Sequence, residues 1–135
     1  MQQVVIDTWF LIAWLYRSDG DHARAARLWR AHSGAELITH DGVLVEFLTY
    51  FAESGPRVRA MAANSVRQLT SYEVVVVPQT RTLFMDALDH YENRLDKGYS
   101  LVDCMTMVVM RERGITHVLT NDHHFRQEGF EVVSE

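Results

Sequence analysis

Short apolar runs alternate along this chain with longer segments of helical length. The short runs, bounded by turn residues, predict strands at residues 4–6, 36–38, 73–78, 117–120 and 131–133. The longer segments predict helices at residues 9–16, 22–31, 43–51, 58–69, 80–95 and 101–113. Strands that alternate with helices within one short chain indicate a parallel sheet covered by helices. We therefore predict an α/β fold.

Polar residues and glycine predict where several of these helices begin and end. Thr8 is expected to cap the first helix, and Thr39 or Asp41 the third, because their side-chain oxygens accept hydrogen bonds from free backbone N–H groups. Gly114 is expected to end the helix 101–113, because glycine adopts the left-handed conformation of a helix C-terminus without strain.

The segment 100–110 is apolar almost all the way round a helix, which is typical of a helix buried on most sides. Its one carboxylate, Asp103, shares a helical face with Thr106, Met107 and Met110. A buried, unpaired carboxylate costs several kcal/mol or takes up a proton unless a cation or hydrogen-bond donors compensate it. The sequence therefore raises the question of what balances Asp103.

Two further acids are expected at the same edge of the sheet as Asp103. Asp7 ends the first strand, Asp122 follows the strand 117–120, and a crossover helix begins at the carboxyl ends of the strands. Binding sites in such sheets form outside these carboxyl ends, where the strand order reverses. Three close carboxylates stay ionised only beside a cation, and Mg²⁺ or Mn²⁺ prefers such oxygen ligands. We predict a divalent-metal site.

Each acid also has a purely structural interpretation when it is taken singly. Asp103 follows Ser100 at the spacing of a capping box, Asp7 is placed as a helix cap, and Asp122 as a turn residue. Glu46 lies at the edge of the apolar face of its helix and fits a surface acid equally well. What favours function is that several such positions fall at one end of one sheet.

The histidines and the overall charge change this picture little. His123 and His124 are adjacent, do not have zinc-ligand spacing, and are interpreted as surface residues or at most RNA contacts. The formal charge of −5 opposes binding to nucleic acid, but twelve of the thirteen basic residues are arginine, and bound cations would offset the acids.

Three further features of the sequence predict where in the cell the protein is located. The longest apolar run, residues 9–16, is too short to span a bilayer, and the N-terminal residues do not resemble a signal peptide. The single cysteine, Cys104, cannot form an internal disulfide, so the cytoplasm is the expected location and no membrane association is expected.

Five motifs in order resemble those of a known family. They are Val-Val-Ile-Asp-Thr at 4–8, Leu-Val-Glu-Phe-Leu at 44–48, Ser-Leu-Val-Asp-Cys at 100–104, Leu-Thr-Asn-Asp-His-His-Phe at 119–125 and Gly-Phe-Glu-Val at 129–132. Over nearly the whole chain, they are similar to the motifs of PIN-domain ribonucleases, and most of all to those of VapC-like toxins. A departure is Val102, where many members carry threonine before the acid.

The resemblance implies a single PIN-like ribonuclease domain over residues 1–135, with a three-layer α/β/α fold around a parallel sheet of about four to five short strands. It implies a catalytic and metal-binding set of Asp7, Glu46, Asp103 and Asp122, with Mg²⁺ or Mn²⁺ as cofactor. Thr8, Ser100 and Thr120 match positions whose hydroxyls support these acids.

The implied reaction is hydrolysis of RNA phosphodiester bonds to 5′-phosphate and 3′-hydroxyl ends. The family also implies an antitoxin protein that covers the acidic site, and a homodimer.

Three other functions compete with this one. A non-catalytic PIN-like module that binds RNA or protein would keep the fold without cleaving. An aspartyl phosphotransferase using Asp7 is disfavoured, because the haloacid-dehalogenase pattern needs a second aspartate where Trp9 stands. A nucleotide-binding Rossmann domain is disfavoured because its glycine-rich loop is absent from the sequence.

Overall fold

The computed structural model describes residues 2–133; Met1, Ser134 and Glu135 of the predicted domain lie outside the described residues. The strands are β1 (Gln3–Ile6), β2 (Glu36–His40), β3 (Val75–Val77), β4 (His117–Leu119) and β5 (Glu131–Val133). The helices are α1 (Thr8–Leu15), α2 (His22–Ala31), α3 (Asp41–Tyr50), α4 (Pro56–Gln68), α5 (Arg81–Glu92), α6 (Leu101–Arg113) and α7 (His124–Gln127), with a 3₁₀ helix at Leu69–Tyr72. Within residues 2–133, no helix is both long and apolar enough to cross a membrane.

The sheet is parallel throughout, with the strand order β3-β2-β1-β4-β5. Because the chain adds β2 and β3 on one side of β1 and then β4 and β5 on the other, the strand order reverses between β1 and β4. Ile6 lies opposite Leu119 in the register, and the Asp7 N–H donates to the Leu119 carbonyl at 3.3 Å. The residues that follow these two strands therefore leave the sheet side by side.

Hydrophobic cores cover both faces of the sheet, which confirms the predicted α/β/α layering. Val4 and Ile6 face the layer of α1 to α4, where they join a buried cluster that includes Phe47. Val5 faces the layer of α5 to α7, in a cluster that includes Phe125. Side chains alternate between the faces of a strand, so a run buried on both faces reads as continuously apolar.

Helix α6 has the predicted bounds of 101–113. Ser100 caps its first turn, and Gly114 ends it with a φ of 64°, as expected for a glycine in the left-handed conformation. Met107 and Met110 are buried, but Asp103 is only half-buried. Its carboxylate accepts a hydrogen bond from the Ser100 N–H at 2.9 Å, so it lies at the helix end and not among the methionines.

Two predicted helix caps are wrong by one position. Asp7, not Thr8, caps α1, because its extended backbone lets the carboxylate reach the Phe10 N–H. His40, and neither Thr39 nor Asp41, caps α3, where the Gly42 N–H donates to Nδ1 of His40 at 3.1 Å.

The third strand is shorter than predicted. The 3₁₀ helix at Leu69–Tyr72 ends on Glu73, which has a left-handed φ of 63°. A left-handed residue breaks an extended strand, so pairing in β3 extends only over Val75–Val77.

Candidate metal-binding site

Asp7 lies where β1 ends, with both carboxylate oxygens engaged. Oδ1 accepts a hydrogen bond from the Phe10 N–H at 3.2 Å, and Oδ2 accepts one from the Thr120 hydroxyl. Asp7 is thus a helix cap, as its structural interpretation proposed. Each carboxylate oxygen has a second lone pair, so this role leaves acceptor capacity for a cation.

Burial, with smaller contributions from the negative charges of Asp103 and Asp122, raises the pKa of Asp7 to about 7. The hydrogen bonds from Thr120 and Phe10 act in the opposite direction but do not cancel the rise. An Asp7 with this pKa is incompletely ionised at neutral pH. A nearby cation would favour its charged form.

Asp103 closes a capping box with Ser100. Ser100 Oγ accepts from the Asp103 N–H at 3.0 Å, while Asp103 Oδ2 accepts from the Ser100 N–H at 2.9 Å. Burial raises the pKa of Asp103, and the charge of Asp122 adds to the rise although the Ser100 hydrogen bonds oppose it. The capping role therefore coexists with an electrostatic contact to a second acid.

Asp122 is held by the turn that follows β4. Its N–H donates to Thr120 Oγ1 at 3.0 Å, and its Oδ1 accepts from the His124 N–H at 2.9 Å. The same Oδ1 lies 3.2 Å from Nδ1 of the His124 ring. The turn that was predicted for Asp122 thus also places an imidazole against the carboxylate.

Asp103, Asp122 and His124 each offer one ligand atom, and these atoms lie within 4.8 Å of one another. Nδ1 of His124 is shielded from solvent and has no hydrogen-bond partner within the described residues. Two carboxylates and an imidazole nitrogen are suitable donors for a divalent ion. The residues present therefore fit a metal, whereas Asp7 and Glu46 lie outside this three-residue group.

The interpretation of both histidines as surface residues holds for His123, which is exposed, and only partly for His124. The His124 side chain keeps 40% of its surface exposed, but its Nδ1 is shielded from solvent beside Asp122. The adjacent residues do point apart, as expected. The missed signal is Asp122 itself, since an aspartate two residues before a helix start commonly accepts from the backbone and folds the following turn back.

Glu46 is tied to the start of α1 rather than to the other acids. The Thr8 hydroxyl donates to Glu46 Oε1 at 2.5 Å, and Thr8 immediately follows Asp7. Glu46 is half-buried, so it is not a simple surface acid. Through this bond, Glu46, the fourth predicted acid, contacts the residue that directly follows Asp7 in the chain.

A second ionic cluster, which the sequence did not reveal, supports His124. The Tyr99 ring lies edge-on to the His124 ring with centroids 5.5 Å apart, and the Tyr99 hydroxyl donates to Glu128 at 3.0 Å. Arg94 and Arg111 also donate to Glu128, at distances between 2.8 and 3.1 Å. Burial raises the pKa of Glu128, but these hydrogen bonds outweigh it and lower that pKa to about 2.

A large cavity lies away from the acids. It has a volume of about 570 Å³ and is lined by residues that include Trp14, Trp29 and Tyr72. A neighbouring cavity shares Trp29 and Tyr72 and reaches Gly34 and Glu36, at the amino end of β2. Neither cavity is lined by any of the four predicted acids.

Comparison with protein families matches the PIN domain over residues 4–131. The 23S rRNA-specific endonuclease VapC20 of Mycobacterium tuberculosis is 31% identical over 127 residues, which are 94% of this chain and 95% of that protein.

Solved structures give the same result. The crystal structure of M. tuberculosis VapC20, described as a Sarcin-Ricin loop cleaving toxin, matches with a TM-score of 0.85 and 27% identity over 98% of this chain and 99% of that one. VapBC2 from Rickettsia felis, bound to a promoter DNA fragment, matches with a TM-score of 0.71 and 7% identity over 98% of both chains. FitAcB from Neisseria gonorrhoeae matches with a TM-score of 0.68 and 11% identity over 97% of this chain and 96% of that one. The last two show a shared fold alone.

Proposed function

This chain belongs to the VapC-like branch of the PIN-domain nucleases, and on that premise we propose that it is a Mg²⁺- or Mn²⁺-dependent ribonuclease. It hydrolyses RNA phosphodiester bonds as the toxin of a toxin–antitoxin pair. The observation that carries the proposal is that Thr120 links Asp7 to Asp122 where β1 and β4 end, while ligand atoms of Asp122 and Asp103 lie within 4.8 Å of each other. On the same premise, residues 1–135 form one ribonuclease domain that acts in the cytoplasm.

Asp103 and Asp122 would hold the ion, with Asp7 linked to Asp122 through Thr120, and Glu46 would orient the attacking water. When bound, the ion supplies Lewis acidity, which makes water a better nucleophile and offsets the negative charge that builds up on the phosphate. The Thr8 hydroxyl occupies one oxygen of Glu46 and thereby fixes the direction in which this carboxylate accepts a proton from water.

Thr120 and Ser100 hold the acids in place. Thr120 donates to Asp7 and accepts from the Asp122 backbone, so one side chain positions two carboxylates. Ser100 positions the carboxylate of Asp103 through the capping box. Ligands fixed in this way need not be ordered when the ion binds, which favours binding.

The proposed substrate is ribosomal RNA. Its support is the 31% identity over nearly the full chain to a 23S rRNA-specific endonuclease. The formal charge of −5 gives no general attraction to RNA. Arginine side chains, which suit phosphate recognition, would therefore position the RNA.

We further propose an antitoxin partner that covers the acidic crevice, and a homodimer. The support for a partner is the fold shared with proteins described as VapBC2 and FitAB. A partner side chain that reaches this crevice should be basic, because it would lie beside three partly buried carboxylates.

The test is cleavage of purified 23S rRNA and tRNA in EDTA, in Mg²⁺ and in Mn²⁺. We expect cleavage only with metal, 3′-hydroxyl ends, and a loss of at least about 100-fold in Asp103→Asn. Asp96→Asn is the matched control, since Asp96 is 79% exposed and forms its ion pair with Lys97, away from the acids.

Cleavage that survives EDTA, or an Asp103→Asn variant as active as wild type, would overturn the proposal. Binding of RNA without any cleavage in either metal would instead support the non-catalytic PIN-like module.

A further inference from the structure

His124 presents an imidazole nitrogen to the acidic crevice, where the carboxylate of Asp122 is its polar neighbour. Its Nδ1 lies 3.2 Å from Asp122 Oδ1, is shielded from solvent, and makes no hydrogen bond within residues 2–133. Leaving a buried polar atom without a partner costs roughly 1–3 kcal/mol. A cation bound beside Asp122 would supply the partner that Nδ1 of His124 lacks.

The His124 ring is held in this orientation by its surroundings. The Tyr99 ring packs edge-on against it, and a Cβ at Gly98 would lie 3.8 Å from its Cε1 atom. Tyr99 is fixed in turn by hydrogen bonds to Gln127 and Glu128. A ring braced by the 98–99 loop is preorganised, because little side-chain freedom remains to be lost on binding.

The distances complete a donor set. One ligand atom each from Asp103, Asp122 and His124 lie within 4.8 Å of one another. Two ligands of one ion at distances near 2.2 Å lie at most about 4.4 Å apart, so a small side-chain adjustment brings the three donors onto one ion. Two of the three donors are oxygens and the third is nitrogen. The four acids that the family resemblance implies contain no nitrogen donor, so His124 changes the chemistry of the site.

We infer that His124 is a direct ligand of the ion, together with Asp103 and Asp122, and that it shifts the site towards transition-metal ions such as Mn²⁺ over Mg²⁺; this inference rests on the proposed function. Mg²⁺ is a hard cation that takes oxygen ligands and keeps several of its waters. Imidazole binds first-row transition ions more readily. A site with one nitrogen donor therefore favours Mn²⁺ over Mg²⁺ more strongly than a site made of carboxylates alone.

The direct test is pulsed EPR of Mn²⁺ bound to the wild-type protein. Coordination by His124 predicts a ¹⁴N modulation of the Mn²⁺ signal that is absent in His124→Ala and retained in His123→Ala. His123 is the matched control, because it is the neighbouring residue, is exposed, and contacts Arg126 instead of the acids. The wild-type spectrum needs no variant, so a misfolded substitution cannot hide the result.

Affinities provide the second readout, with free Mn²⁺ measured by EPR and Mg²⁺ by calorimetry. His124→Ala should weaken Mn²⁺ binding about tenfold or more while changing Mg²⁺ binding by less than about threefold. His124→Asp, which replaces nitrogen by oxygen, should lower the ratio of Mn²⁺ to Mg²⁺ affinity while retaining metal binding.

The results separate this inference from the proposed function. A wild-type protein that cleaves RNA but shows no ¹⁴N modulation would overturn the role of His124 alone, and the His124–Asp122 contact would then be an ion pair. Modulation that depends on His124 in a protein without ribonuclease activity would leave the ligand assignment standing and overturn the ribonuclease. Unchanged metal selectivity in both His124 variants would also overturn the inference.

Discussion

The hydroxyl of Thr120 donates a hydrogen bond to Oδ2 of Asp7 across 113 residues of sequence. The hydroxyl oxygen of Thr120, Oγ1, also accepts a hydrogen bond from the Asp122 N–H at 3.0 Å. β1 and β4 are neighbours at the point where the strand order reverses. The first residues after these two strands, Asp7 and Thr120, therefore contact each other. One threonine therefore joins two acids that come from opposite ends of the chain.

Replacing Thr120 by valine should weaken metal-dependent cleavage and shift it to higher pH. The hydrogen bond from Thr120 lowers the pKa of Asp7, so its loss should raise that pKa further, by up to roughly one unit. The pH profile of cleavage checks this, with Thr120→Ser, which keeps the hydroxyl, expected to match wild type. A valine variant with an unchanged profile would contradict the role given to this bond.

Asp7→Asn should abolish cleavage and stabilise the metal-free protein. Burial raises the folded-state pKa of Asp7 to about 7 from its ordinary 3.8, so the ionised side chain opposes folding at pH 8, by roughly 1–3 kcal/mol. Urea unfolding in EDTA at pH 8 measures the difference. A less stable asparagine variant would contradict the assigned cost.

The raised pKa of Asp7 also predicts how stability depends on pH. The folded metal-free protein holds this proton more tightly than the unfolded chain does. The contribution of Asp7 is therefore fully present below about pH 4 and is lost as the pH rises through about 7. The stability advantage of Asp7→Asn should accordingly vanish as the pH falls from 8 to 4.

The sequence predicted the sheet, the bounds of α6 and the convergence of Asp7 and Asp122, because these follow from apolar runs and from the geometry of parallel strands. It placed the caps of α1 and α3 wrongly, because Thr8 and Asp7, or Asp41 and His40, are adjacent residues that both offer a side-chain acceptor. Only the backbone conformation chooses between them, and φ and ψ at Asp7 and His40 are extended.

The sequence did not reveal His124 or Glu128 for a different reason. The position of His124 depends on a turn that Asp122 folds, and the role of Glu128 depends on partners 17 to 34 residues away. Such contacts have no local pattern. The Glu46 contact with Thr8 is also long-range, which explains why the sequence alone does not distinguish Glu46 from a surface acid.

Glu128→Gln should destabilise the protein at neutral pH by about 2 kcal/mol, because two arginines lose a buried carboxylate. The folded-state pKa of Glu128 is lowered to about 2 from 4.5. Its stabilisation is therefore present above about pH 4.5 and is lost as the pH falls towards 2.

Unfolding of Glu128→Gln and wild type at pH 7 and pH 3 measures this effect, and the difference should shrink at the lower pH. The matched control is Glu131→Gln, whose exposed side chain pairs with His117 and should change stability by less than about 0.5 kcal/mol. Equal stability of Glu128→Gln and wild type at pH 7 would show that the cluster does not stabilise this half of the molecule.

Gly42→Ala should destabilise the protein by about 1–3 kcal/mol. A Cβ at Gly42 would lie 2.9 Å from the His40 ring and 3.2 Å from Met105. The ring cannot move freely, because its Nε2 contacts Thr106 Oγ1 at 2.7 Å while Thr106 donates to the Val102 carbonyl. Burial lowers the pKa of His40 to about 4, so at pH 7 the neutral ring accepts from Gly42 and donates to Thr106.

Thermal or urea unfolding of Gly42→Ala measures this cost. Gly34→Ala is the control, since a Cβ there would meet open space. A Gly42→Ala variant as stable as Gly34→Ala would mean that His40 does not lock α3 to α6.

The convergence of distant acids on one divalent ion is tested most directly by anomalous diffraction from crystals soaked in MnCl₂. We predict an anomalous peak within ligand distance, near 2.2 Å, of carboxylate oxygens from both Asp103 and Asp122, which is lost in the Asp103→Asn, Asp122→Asn double variant. Manganese-soaked crystals without a peak in this crevice, or with a peak that survives in the double variant, would contradict the account.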